Sequence, residues 1–192
     1  EYYKVNPDIS TFAKSLSNGY PLSAITGPEE IMKHFGPGTE RVAHGGTYAS
    51  NPVSLVAANA TLDVLRKRNV WKHLYWFGRK MMAGMQEIFD ENKMHSLVQG
   101  VPTMFQFVCT TRSSVTNYRD LLGFCDFGLY SRIQFELMKE GVMIDEDNQE
   151  CWYTSLSHGK RELEKTLDAL DVAVKRGKAP RSPISRFAVH HH

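Results

Sequence analysis

The chain changes character at one point, and that change limits its possible folds more than any other feature. Up to Ser50, glycine and proline interrupt it repeatedly, at Asn18-Gly19-Tyr20-Pro21, Gly27-Pro28, Gly36-Pro37-Gly38 and Gly45-Gly46. Only short apolar stretches fit between such breaks. From Asn51-Pro52 onward long helical periods take over, and short strand-like runs alternate with them. Strands crossing with helices in this order indicate an α/β or α+β fold. A domain boundary is expected near Arg68, and the sequence holds no internal repeat or low-complexity tract.

In the first part, residues 9–13 and 22–26 read as buried strands. Residues 29–35 read as a short helix, with Pro28 at its start and two carboxylates in its first turn. Asn51 is expected to cap the next helix, and Pro52 suits a first position that needs no N–H donor. That helix keeps Val53, Val56, Ala57, Ala60, Leu62, Val64 and Leu65 as an apolar face. It runs to Arg66-Lys67-Arg68, whose charges suit the negative end of the helix dipole. A second helix is expected over residues 70–92, with Leu74, Phe77, Met81, Met85, Ile88 and Phe89 at helical spacing, its methionines read as core packing. Residues 103–110 alternate like a half-buried strand, and residues 130–140 form a helix stopped by Gly141. Residues 142–144 and 151–154 read as strands and residues 159–175 as an amphipathic helix. Residues 178–186 read as an exposed tail and His190-His191-His192 as the remnant of a purification tag.

Composition removes several function classes. Hydrophobic residues make up 42% and charged ones 23%, as in a globular domain. Lys+Arg 23 against Asp+Glu 21 leaves +2, so neither nucleic acid nor an anionic membrane is an expected partner. No apolar run approaches the roughly 18 residues that a membrane span needs. Cys109, Cys125 and Cys151 lie 16 and 26 positions apart with no Cys-x-x-Cys pair. Such a count argues against a zinc ribbon or disulfide framework and for a reducing, cytoplasmic compartment. No metal site is expected: His158 lacks a ligand-spaced partner, and Asp145-Glu146-Asp147 lacks the glycine and final glutamate of a calcium loop. There is no Gly-x-Ser-x-Gly nucleophile elbow.

Three spots could carry chemistry. Lys14 follows an apolar strand and precedes a turn, and ligands of open α/β sheets bind outside strand ends. Burial and a nearby cation would lower its amine pKa and make it a carbonyl nucleophile. Spacing alone does not separate that role from a solvated loop lysine. Second, His44-Gly45-Gly46-Thr47-Tyr48-Ala49-Ser50 brings backbone amides and hydroxyls to a helix start, a cradle for phosphate or simply a tight turn with a cap. It is neither a Walker A loop nor a dinucleotide fingerprint. Third, Ser155-Leu156-Ser157-His158-Gly159 leads into the last helix, where Ser157 or a neighbour is expected to cap and His158 to sit partly exposed.

Pro7-Asp8-Ile9-Ser10-Thr11-Phe12-Ala13-Lys14, continuing to Pro21, resembles the Schiff-base lysine segment of class III pyridoxal-phosphate aminotransferases. Within that group it most resembles the branch containing glutamate-1-semialdehyde aminomutase. Gly45-Gly46-Thr47-Tyr48-Ala49-Ser50-Asn51-Pro52 is similar to the Gly-Thr-x-x-x-Asn-Pro stretch that follows in that branch. Residues 141–158 and the closing helix resemble the family's C-terminal domain. The resemblance implies an α/β, fold-type-I transferase fold in part. Residues 1–68 would end the large cofactor domain, residues 69–178 would form the small α+β C-terminal domain, and residues 179–192 are tail and tag.

The resemblance also implies a chemistry. Lys14 would form the imine with pyridoxal 5′-phosphate, and Thr47, with Gly46, would hold the cofactor phosphate of the neighbouring subunit. A homodimer with shared active sites is therefore expected, acting on a small-molecule amino donor and a carbonyl acceptor. The reaction would be amino transfer, or in the aminomutase an intramolecular one. The glycine-rich run usual in the aminomutase is replaced here by Ser17-Asn18-Gly19-Tyr20-Pro21, which favours an aminotransferase. The family's earlier phosphate loop, ring-stacking aromatic and pyridine-pairing aspartate have no counterpart in these residues. The chain, which opens Glu1-Tyr2-Tyr3-Lys4 without an initiator Met, is thus expected to be the C-terminal portion of a longer enzyme, with little or no activity alone. The rival reading is a non-catalytic interaction module of aminotransferase-like shape.

Overall fold

The computed structural model describes residues 2–38 and 41–178, so the expected tail and tag lie outside the described residues apart from Lys178. The chain divides into two compact units, Glu1–Val70 and Trp71–His192. No helix among the described residues is long and apolar enough to cross a membrane.

The first unit is small and open. Strand β1 (Ser10–Phe12) pairs antiparallel with β2 (Ala24–Thr26), Thr11 opposite Ile25. Helix α1 (Glu29–Met32) follows Pro28 and tightens into a 3-10 turn over Lys33–Phe35. Helix α2 (Pro52–Leu65) completes it. The strands fall where expected, but their burial does not follow: Ile9 is 50% and Phe12 49% exposed. Two strands of three residues each, with no further strand on either side among the described residues, are too small a sheet to bury a face.

Helix α2 departs from its expected face. It buries Ser54 and Ala58, whereas Val53 stays 57% and Val56 69% exposed. Val53, Val56, Ala57, Ala60 and Val64 form one stripe at 100° per residue, but Ser54, Ala58, Thr61 and Leu65 form another about a quarter-turn away. The stripe with Ser54 and Ala58 is the inward one, and α2 packs near the 3-10 turn Lys14–Leu16.

The second unit holds the core. Helix α3 (Arg68–Glu91) lays Phe77, Met81, Met85 and Phe89 against a three-stranded antiparallel sheet, in which β4 (Met104–Val108) lies between β3 (Leu97–Val101) and β5 (Trp152–Tyr153). Phe107 contributes from β4, its ring centroid 5.1 Å from both Phe89 and Tyr130. The short helix α4 (Tyr118–Phe124) leads into α5 (Phe127–Lys139), which packs on α6 (Lys160–Gly177) through Ile133 and Leu137 on one side and Leu170, Ala173 and Val174 on the other. Strand β3 and helix α4 are elements that the sequence pattern did not signal.

The expected strand over residues 142–144 is absent. Gly141 ends α5 at φ 76°, its N–H donating to the Met138 carbonyl (3.0 Å) and that of Val142 to Leu137 (3.0 Å). This paired left-handed stop consumes the amide that would have started a ladder. Val142 and Ile144 still pack on the core as loop residues.

Candidate cofactor site

Lys14 follows β1 after Ala13 and opens the 3-10 turn Lys14–Leu16, with a left-handed φ of 52°. Few non-glycine residues adopt that region, and strain of this kind collects at functional positions. The side chain is exposed, so the burial expected of it is not supplied by the described residues. Among the described residues, no hydrogen bond or ion pair holds its amine. Below it the turn is tightly made: Leu16 N–H donates to Ala13 O (3.1 Å), Asn18 N–H to Ser15 O (3.3 Å) and Tyr20 N–H to Ser17 O (3.3 Å).

The second expected locus, Gly46 and Thr47, is an exposed turn. Ala49 N–H donates to Gly46 O at 2.9 Å and Asn51 N–H to Tyr48 O at 3.2 Å. Asn51 caps α2 as expected, and its Oδ1 accepts from both Val53 N–H (3.0 Å) and Ser54 N–H (3.2 Å). Pro52 has no N–H. The first amides of α2 are therefore spent, and the helix N-terminus itself is not the phosphate cradle that the sequence allowed. The free donors lie one turn earlier: among the described residues, the amides of Gly45, Gly46, Thr47 and Tyr48 and the Thr47 hydroxyl have no partner. A Cβ built at Gly45 or Gly46 would meet nothing within 4 Å.

This donor set fits a phosphate, and the unpaired Lys14 amine fits an aldehyde. The residues present thus suit pyridoxal phosphate. No hydrogen bond joins Lys14 to Thr47; what relates them is α2, which begins after the Thr47 loop and packs on the Lys14 turn.

The third locus is structural. His158 stacks on Phe77 (centroids 5.2 Å, interplanar 30°), its Nδ1 accepts from Ser155 N–H (3.2 Å), and its carbonyl accepts from His73 Nε2 (2.8 Å). The cap expected from Ser157 or a neighbour is not a side-chain bond from Ser157. Gly159 is the N-cap residue of α6, and its N–H donates to Glu162 Oε2 at 2.9 Å. That bond holds the Glu162 carboxyl below the usual carboxylate range. Among the described residues no group of three potential ligands could hold a metal, and all three cysteines are free thiols. The sequence did not mark out Ser17, which is fully buried three residues after Lys14; its place in a Lys-x-x-Ser turn was the available signal.

The sequence matches the class-III aminotransferase family over residues 1–174. It is 33% identical over 174 residues to a glutamate-1-semialdehyde 2,1-aminomutase of Methanosphaera stadtmanae, covering 91% of this chain and 40% of that protein. Its fold superposes on an omega-transaminase from Sphaerobacter thermophilus with a TM-score of 0.79 at 26% identity, covering 91% of this chain and 40% of that one. A transaminase solved with PLP bound gives a TM-score of 0.76 at 20% identity, over 91% of this chain and 39% of the other. The chain thus spans about 40% of the length of the relatives it matches.

Proposed function

The chain belongs to the class-III aminotransferases, and from that membership we propose that the protein it forms part of transfers amino groups, with Lys14 as the residue that binds pyridoxal phosphate covalently. The observation that carries this reading is an unpaired lysine, held left-handed at the end of β1, followed in the chain by a Gly-Gly-Thr loop whose donors are free. Bound pyridoxal phosphate supplies an electron-withdrawing ring that stabilises negative charge on the substrate carbon joined to it. Lys14 Nζ would hold the cofactor covalently and, when free, would carry the substrate proton. Thr47 and the amides from Gly45 to Tyr48 bind the phosphate, in the neighbouring subunit of a homodimer. Val53 and Val56 line, with Tyr20, Pro52 and Ala60, an apolar groove of about 470 Å³ that the described residues leave open. The free thiols support a reducing, cytoplasmic compartment.

The substrates are a small amino donor and a carbonyl acceptor. A second reading, intramolecular transfer, is favoured by the 33% identity to the Methanosphaera aminomutase. The full-length protein separates the two when given either a donor with a separate keto acid, or one molecule bearing both amino and carbonyl groups. Product in the first case supports an aminotransferase, and isomerisation in the second an aminomutase. Turnover of neither, with no cofactor bound, would favour the non-catalytic module. Lys14→Ala is expected to lose at least about a thousandfold in rate, as removal of a covalent catalyst does.

A further inference from the structure

We infer that Ser17 is a positioning residue for Lys14, an inference that rests on the covalent role proposed above for that lysine. Ser17 is 0% exposed, although it lies in a short surface loop between two three-residue strands. Its hydroxyl donates to the Tyr20 carbonyl while its own carbonyl accepts from Tyr20 N–H. Ser17 and Tyr20 thus close the turn from both sides, and Pro21 adds no further donor.

Only Lys14 among residues 10–17 is left-handed; Ser17 is the C-cap residue of the 3-10 turn that Lys14 opens, and the Ser17–Tyr20 turn begins there. A non-glycine residue stays in that conformation only where its surroundings over-determine it. Upstream, the β1–β2 pairing fixes Ser10 to Phe12. Downstream, the Ser17–Tyr20 clamp and the packing of the turn on α2, where Ser54 and Ala58 are buried, fix the other side. Losing the hydroxyl removes one of the downstream restraints and leaves the upstream pairing intact. The backbone of Lys14 can then relax toward negative φ, and its amine leaves the direction set by the clamp.

The test uses the full-length protein loaded with pyridoxal phosphate, comparing wild type with Ser17→Ala. Borohydride trapping at Lys14, followed by peptide mass, is expected to slow about tenfold per folded molecule, a loss of the size that small misplacements bring. The pH midpoint of the bound cofactor's absorbance should move with it. A lower melting temperature with trapping rate and midpoint unchanged would mean a merely structural serine and overturns the inference. Should the alanine variant not fold, Ser17→Cys keeps the volume with a weaker donor and carries the same expectation. Wild-type label on a lysine other than Lys14 would instead overturn the proposed function, so the two failures are distinguishable.

Discussion

At the scale of single residues, Asn51 does two jobs with one oxygen. Its Oδ1 takes the amides of Val53 and Ser54, so Asn51→Ala should cost about 1 kcal/mol of stability, read from urea unfolding. An unchanged midpoint would contradict the cap. Cys109 is buried between strand and helix, and burial pushes its thiol up to about 12. A disulfide reagent at neutral pH should therefore leave Cys109 unmodified until the chain unfolds, while Cys125 and Cys151 are only partly covered. Both features differ in how they show in sequence. The cap is local, so Asn-Pro ahead of a helical period was enough to find it. Burial of one cysteine depends on residues far along the chain, and the left-handed φ of Lys14 has no mark in lysine itself. The thiol count and the absence of Cys-x-x-Cys were readable; where the thiols sit was not.

At the scale of elements, periodicity served best where a helix meets a large core. The stripe of α3 from Leu74 to Phe89 is the buried one, because a sheet and two helices cover it. On α2 the same reasoning found an apolar stripe that the described residues leave uncovered, while the stripe with Ser54 and Ala58 is the one they bury. Val142 to Ile144 has strand-like composition, but the Gly141 stop takes its first amide. Strand β3 carries Gly100, and α4 has only 7 residues, too few for a period to register. Close approaches make these contacts testable. A Cβ at Gly78 would lie 1.6 Å from the Pro102 carbonyl oxygen, a backbone atom, whereas one at Gly84 would meet the Leu167 Cδ1 at 2.6 Å, a movable side-chain end. Gly78→Ala should cost about 3 kcal/mol or more, and Gly84→Ala clearly less, in thermal unfolding. The reverse order would contradict the packing of α3 on the β3–β4 hairpin.

At the scale of the whole molecule, stability should fall on the acid side. Backbone donation from Gly159 to Glu162, donation from Thr116 to Asp120, and the hydrogen bond from Lys175 to Asp171 each hold a carboxyl below its ordinary pKa. A group depressed in the folded state contributes fully above its unfolded pKa, about 4 for these carboxyls, and its contribution disappears as pH falls through the lower folded value. Melting temperature should thus be flat near neutrality and drop in that acid window, with a shallower drop in Glu162→Gln. The chain covers about 40% of the relatives it matches, and its donors for a cofactor stand exposed. On the proposed function, the 192 residues alone should transfer little or no amino group, whereas the longer protein should do so. On the proposed function, one lysine holds the cofactor covalently. Borohydride reduction of the full-length protein with pyridoxal phosphate, digested and weighed, is predicted to place the label on the peptide containing Lys14; a label confined to any other lysine would contradict it.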